Sequence, residues 1–182
     1  MTLLVLGLLL WMAAHLFKRL MPGVRARMGD PGKGLVALTL LAGVVLMVLG
    51  YRGADGDILW SLPGFAVHIN NLLMLIAIFM FSPAPRKGRL LNNVRHPQLI
   101  AMSLWAIAHL LVNGDMESLV LFGGLLVWAL LEMVVINRAE GKWRPSETGT
   151  LAKDAMFAVA SVVLLAVIGY VHAWLGPWPF GG

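Results

Sequence analysis

The sequence predicts an all-α fold: a polytopic membrane bundle of six transmembrane helices, with both termini on the periplasmic side. Three observations predict it. Hydrophobic residues make up 59% of the 182 positions and charged residues 13%, and the mean hydropathy is +0.83, far from the soluble average. Apolar stretches of about the length a bilayer requires, ~20 residues, recur along the chain. Lys and Arg collect in alternate connectors between those stretches, which is the signature of positive-inside topology.

The spans fall at roughly 2–18, 35–51, 65–81, 97–113, 117–137 and 152–174. The first could be a signal peptide, but no positive residue precedes it and no small-residue cleavage site follows, so it reads as a retained helix. Pro22, Gly23, Pro31, Gly32 and Gly34 are expected to break the chain before the second span. Ser82, Pro83 and Pro85 end the third, Pro97 suits the first turn of the fourth, and Gly114 closes it. The tail Gly176, Pro177, Trp178, Pro179 and Phe180 is non-helical and aromatic, as expected at a membrane–water interface. No internal repeat argues for an inverted-repeat transporter, and residues 1–182 read as a single domain.

Charge assigns the orientation. Lys18, Arg19, Arg25, Arg27 and Lys33 lie between spans one and two; Arg86, Lys87, Arg89 and Arg95 lie between three and four; Arg138, Lys142, Arg144 and Lys153 lie between five and six. The other connectors hold Arg52, Asp55 and Asp57, and Asp115 and Glu117. A multi-pass protein of the bacterial inner membrane follows, in contact with membrane lipid. The net charge of +5 is explained by topology, and without basic segments interleaved with aromatics a nucleic-acid partner is not expected. With no cysteine, thiolate catalysis, disulfides and iron–sulfur clusters are excluded. Neither a phosphate-binding glycine loop nor an H-E-x-x-H pair is present.

Histidine carries the functional signal. His15, His68, His109 and His172 lie within or at the edges of apolar spans, where an imidazole must replace its hydration with a partner. In a chain without cysteine, histidine is also the natural ligand for iron or another transition metal. On the fourth span Gln98, Met102, Trp105, His109 and Asn113 form one helical stripe expected to face the bundle interior. His109 there is either a metal ligand or a core histidine bonded to a neighbouring carbonyl. His15 lies one turn after Trp11 and beside Lys18 and Arg19, cations that could meet an anionic headgroup or a cofactor carboxylate; the bland alternative is snorkelling. His68 shares a face with Asn71, and Asn70 points elsewhere. His96 reads as a cap or headgroup contact before Pro97, and His172 as interfacial near Trp174. Glu132 is a carboxylate at membrane depth, expected to pair with an Arg or Lys near the inner end of its span.

The run Val94 to Gly114, VRHPQLIAMSLWAIAHLLVNG, resembles the NnrU family of bacterial membrane proteins. The resemblance also takes in His15 within LLLWMAAHLF, the segment WSLPGFAVH ending at His68, and Phe122 to Gly124. It implies a role in nitric oxide and nitrite metabolism during denitrification, with nitric oxide or nitrite reductase machinery as partners. The same pattern is distantly similar to 15-cis-zeta-carotene isomerase, a haem b membrane enzyme. That likeness implies haem ligation by the positions matching His15 and His109. Two departures stand out: the isomerase's motif cysteine is Ala106 here, and a paired histidine corresponds to Val127 and Trp128.

Depth complicates the pair. His109 lies some twelve residues up its helix, roughly 18 Å at ~1.5 Å per residue, whereas His15 is about one turn from the basic end. Depth alone would pair His109 with His68. The expected site is therefore haem b iron ligated by His109 with His15 or His68, and with Trp105 and Trp11 against the macrocycle. Two other readings stay open: a haem-dependent isomerase-like enzyme acting on a polyene or lipid, and a non-haem accessory or transport protein. The sequence leaves the oligomeric state and any catalytic residues open.

Overall fold

The computed structural model describes residues 1–145, 147–176 and 178–181. Among the described residues the secondary structure is α-helical: α1 Thr2–Leu20, α2 Pro22–Arg27, α3 Pro31–Arg52, α4 Ala66–Phe81, α5 Ala84–Lys87, α6 Pro97–Val112, α7 Met116–Glu140 and α8 Leu151–Leu175. Each of the apolar spans expected from the sequence coincides with one of the six longer helices. Four of them, α1, α3, α7 and α8, are long and apolar enough to cross a membrane. The chain is a membrane protein on this composition. α4 and α6 are apolar but have 16 residues each, about 24 Å at ~1.5 Å per residue, short of the roughly 30 Å hydrocarbon core.

Proline sets where helices start. Pro22, Pro31 and Pro97 each occupy the first turn of a helix, where the missing N–H has no intrahelical partner to lose. The expectation that Pro22 to Gly34 would break the chain is therefore corrected: Pro22 opens α2, and Pro31, Gly32 and Gly34 lie inside α3. α5 was likewise not foreseen, because Pro83 and Pro85 read as breakers but sit at the start of a short helix. α7 has a side-chain cap, with Asp115 accepting from the Ser118 amide at 2.7 Å. α6 ends at Val112 with Asn113 as its C-cap, one residue before the expected Gly114.

The helices sort into two compact units, each described by itself. The first comprises Met1–Trp60 and Gly114–Gly141, in which α1 packs against α3 and α7. Glycine makes the α1–α3 approach possible. A Cβ on Gly7 would lie 2.6 Å from the Met47 amide nitrogen, and one on Gly50 would overlap the Leu4 backbone, so the two backbones are in contact as in small-residue membrane packing. At the end away from the basic connectors, the Leu59 and Trp60 amides donate to the Gly114 carbonyl at 2.6 and 3.2 Å, and Met116 N donates to the Asp57 carbonyl at 3.1 Å. The two acidic connectors are thereby joined through backbone bonds, with Gly56 N also donating to Glu117 Oε2 at 3.1 Å.

The second unit comprises Ser61–Asn113 and Lys142–Gly182. α4 packs against α6 around Ala77, Met80 and Ala101, and also against α8. Asp154, 3% exposed in the first turn of α8, accepts from the Arg89 and Leu90 amides at 2.7 and 3.2 Å. It ties the basic segment after α5 to α8. The aromatic tail folds back on α8: the Phe180 ring covers Gly169, and Trp178 stacks edge-on with Tyr170 at 5.7 Å. Pro177, part of the same expectation, lies outside the described residues. Elsewhere α8 presents Val159, Val163 and Val167 outward, a surface suited to lipid.

Candidate functional site

Two histidines are held in the same way, one in each unit. α1 carries Trp11-Met12-Ala13-Ala14-His15 and α6 carries Trp105-Ala106-Ile107-Ala108-His109. The spacing of four places each Trp and His one above the other on a helix face. His15 Nδ1 lies 3.0 Å from the Trp11 carbonyl oxygen, and His109 Nδ1 lies 2.8 Å from that of Trp105. A carbonyl can only accept, so each Nδ1 carries the proton and Nε2 is the basic nitrogen. Each imidazole also leans on its own tryptophan, with centroids 4.3 Å apart in the first pair and 4.6 Å in the second. The alanines preceding them, Ala14 and Ala108, are buried, which lets neighbouring helices come close.

Around His15 the first unit adds an aromatic wall from α7. The Trp128 ring lies 4.6 Å from His15 and 5.3 Å from Trp11. One turn further along α7, Glu132 is 7% exposed. Among the described residues, the buried atoms Trp11 Nε1, Trp128 Nε1 and Glu132 Oε2 have no hydrogen-bond partner. Among the described residues the expected ion pair of Glu132 is not formed, and Arg19 pairs with Glu140 at 2.7 Å. Two indole donors and one carboxylate oxygen thus accompany the imidazole without hydrogen-bond partners among the described residues.

In the second unit Asn113 Nδ2 donates to the His109 carbonyl at 2.9 Å, closing the α6 C-terminus. His172 lies in the last turn of α8. His68 stands in the first turns of α4 with its side chain exposed. His96 occupies the N-cap position of α6 and makes no cap hydrogen bond through its side chain, which corrects the capping expectation.

The stripe Gln98, Met102, Trp105, His109 and Asn113 is half-buried to exposed. The most buried positions of α6 are Ala101, Ser103, Ala106 and Ala108. Small residues therefore make the closest helix contact, and the polar stripe lies beside it. Asn70, which the sequence pointed elsewhere, is 6% exposed; in the amide orientation that satisfies both ends it donates to the Ala108 carbonyl at 3.0 Å. It joins α4 to α6 one residue before His109. A buried Asn next to an alanine-rich helix was the available signal, but helical phase alone did not show which side α6 would take.

Among the described residues no group of three or more His, Asp or Glu comes together to hold a metal ion. A lone neutral imidazole serves iron where a macrocycle supplies the other ligands, and the Nδ1–carbonyl bond is the partner that fixes a ligating ring's tautomer and orientation.

The sequence model of the family described as NnrU protein matches residues 3–179. No curated protein and no solved structure matches the chain. With the family match running through both W-x-x-A-H helices and nearly the whole sequence, the chain belongs to the NnrU family.

Proposed function

We propose that this NnrU-family protein binds haem b through intramembrane histidines and supports nitric oxide and nitrite metabolism in the inner membrane of a denitrifying bacterium. The observation that carries the proposal is the repeated histidine geometry: His15 and His109 each donate Nδ1–H to the carbonyl of the tryptophan four residues before. His109 is the first ligand, with Trp105 as its aromatic support. His15 is the second by resemblance, and His68 remains the alternative by depth.

Haem b, when bound, supplies a one-electron iron couple. The chain's own residues do the rest. The Trp11 and Trp105 carbonyls hold the imidazoles in the Nδ1–H tautomer, which presents Nε2 to a ligand. The indoles of Trp11, Trp128 and Trp105 pack on the rings and limit their rotation.

The same reading takes α4 and α6 as spans completed by their flanking residues. Six crossings then put both termini on the periplasmic side, which the concentration of Lys and Arg in alternate connectors supports. Reporter fusions within residues 53–57 and 142–150 test this topology.

The deciding experiment is the absorption spectrum of protein purified from haem-supplied cells, oxidised and then reduced. A Soret band with reduced-state α and β bands is expected, absent from His109→Ala. Colourless protein that takes up no added haem overturns the proposal.

A further inference from the structure

The second unit contains a cavity of about 340 Å³ at its basic end, which has no part in the histidine chemistry. Arg86, Arg95 and Arg144 line it, with Asn92, Gln98 and the indole of Trp143. Among the described residues no Asp or Glu lines it. Positive-inside topology asks only that cations lie on one side of the membrane; it does not ask three guanidinium groups from three chain segments to wall one concavity. Three cations lining one concavity make it a favourable place for an anion.

The walls are built rather than incidental. Asn92 is 7% exposed and donates through Nδ2 to Thr148 Oγ1 at 3.2 Å, while Gly149 N donates to the Gly88 carbonyl at 3.0 Å. Asp154 holds the Arg89 and Leu90 amides from beneath. These bonds fasten the segment bearing Arg95 to the one bearing Arg144. Pro97 and Gln98 open the 16-residue helix α6 at the cavity, which adds the positive end of a helix dipole. Pro85, Val94 and Trp143 supply apolar surface beside the cations.

We propose that this cavity binds a phosphate ester, its phosphate among Arg86, Arg95 and Arg144 and its organic part against Trp143 and Val94. Guanidinium forks match phosphate oxygens bidentately, and the mixed lining suits a group that is anionic at one end and apolar at the other. The ester is either an anionic lipid headgroup or a soluble phosphate, and the proposal is independent of haem binding.

The test is titration calorimetry on the full chain in nonionic detergent with dihexanoyl phosphatidylglycerol, glycerol 3-phosphate and, as control, dihexanoyl phosphatidylcholine. Saturable binding at one site is expected for one or both anionic esters and not for the zwitterionic lipid. Binding by the lipid alone identifies a headgroup site, and equal binding by glycerol 3-phosphate a soluble ester. The double variant R86Q/R144Q, at exposed positions, should weaken binding at least tenfold. R27Q/R138Q removes the same charge from exposed positions of the first unit and should leave binding unchanged. Absence of saturable binding, or equal weakening in both double variants, overturns the proposal. Wild-type protein supplies a measurement that needs no variant: its melting temperature should rise in inorganic phosphate relative to chloride at equal ionic strength, and no rise also counts against the site.

Discussion

His109 donates Nδ1–H to the carbonyl oxygen of Trp105, 2.8 Å away, and His15 repeats the relationship with Trp11 at 3.0 Å. One local device, W-x-x-A-H on a helix, thus prepares two imidazoles with the basic nitrogen at Nε2. Because the anchor is a backbone carbonyl, it survives replacement of the indole. Trp105→Phe should therefore keep haem affinity within about tenfold, the lower end of what a lost supporting contact costs a metal site, whereas His109→Ala should remove the Soret band. Alanine substitution of His15 and of His68, read by the same spectrum, names the second ligand as the variant that converts the iron to a different coordination state.

The α1–α3 contact is predicted to be the least tolerant packing surface in the first unit. Gly50→Ala places a methyl on the Leu4 backbone, and the helices must separate, at a cost of about 1–3 kcal/mol for overpacking. Thermal unfolding in detergent should show a lowered midpoint. Gly23→Ala, where a Cβ meets nothing within 4 Å, should leave the midpoint unchanged or raise it.

Asp154 should be required for the order of the segment after α5. Asp154→Ala removes the hydrogen bonds from the Arg89 and Leu90 amides, each worth about 0.5–1.5 kcal/mol. Asp154→Asn keeps an acceptor oxygen and should lose less. Limited proteolysis at Arg86, Lys87 and Arg89, with unfolding measured in parallel, separates the two; equal behaviour of Ala and Asn would remove the carboxylate's anchoring role.

Glu132 makes the opposite prediction. Its Oε2 has no hydrogen-bond partner among the described residues, so Glu132→Gln keeps the shape while removing a buried carboxylate. A buried carboxylate costs more to desolvate than the neutral amide that replaces it. The variant should be as stable as wild type or more so. A loss of more than about 1 kcal/mol, the scale of a made hydrogen bond, would show that the carboxylate has a partner in the membrane.

Much of the fold was legible because hydropathy and punctuation are local properties. The positions of α1, α3, α4, α6, α7 and α8 follow from apolar runs bounded by charges, and Pro97 marked the start of α6. Proline misled where it was read as a breaker: at Pro22 and Pro31 it starts helices, since its fixed φ and missing N–H suit a first turn. The site was legible in part. His15 and His109 stood out as imidazoles in apolar helices, and the shared W-x-x-A-H spacing was visible without its meaning.

By itself the sequence determined that the chain is helical and membrane-embedded, which residues belong to each long helix, and that histidine is its only strong ligand for a transition metal. Each of these depends on residue type and on spacing within one helix. Tertiary structure decided the pairings between helices. It brought Trp128 to His15, Asn70 to Ala108 and Asp154 to the Arg89 amide, and it gave Arg19 to Glu140 rather than to Glu132. Hydropathy fixes which helices enter the bilayer but barely distinguishes their rotations about their own axes, because lipid solvates any apolar face equally. Close contact through glycine and alanine, together with the few polar groups that must find partners, selects among those rotations.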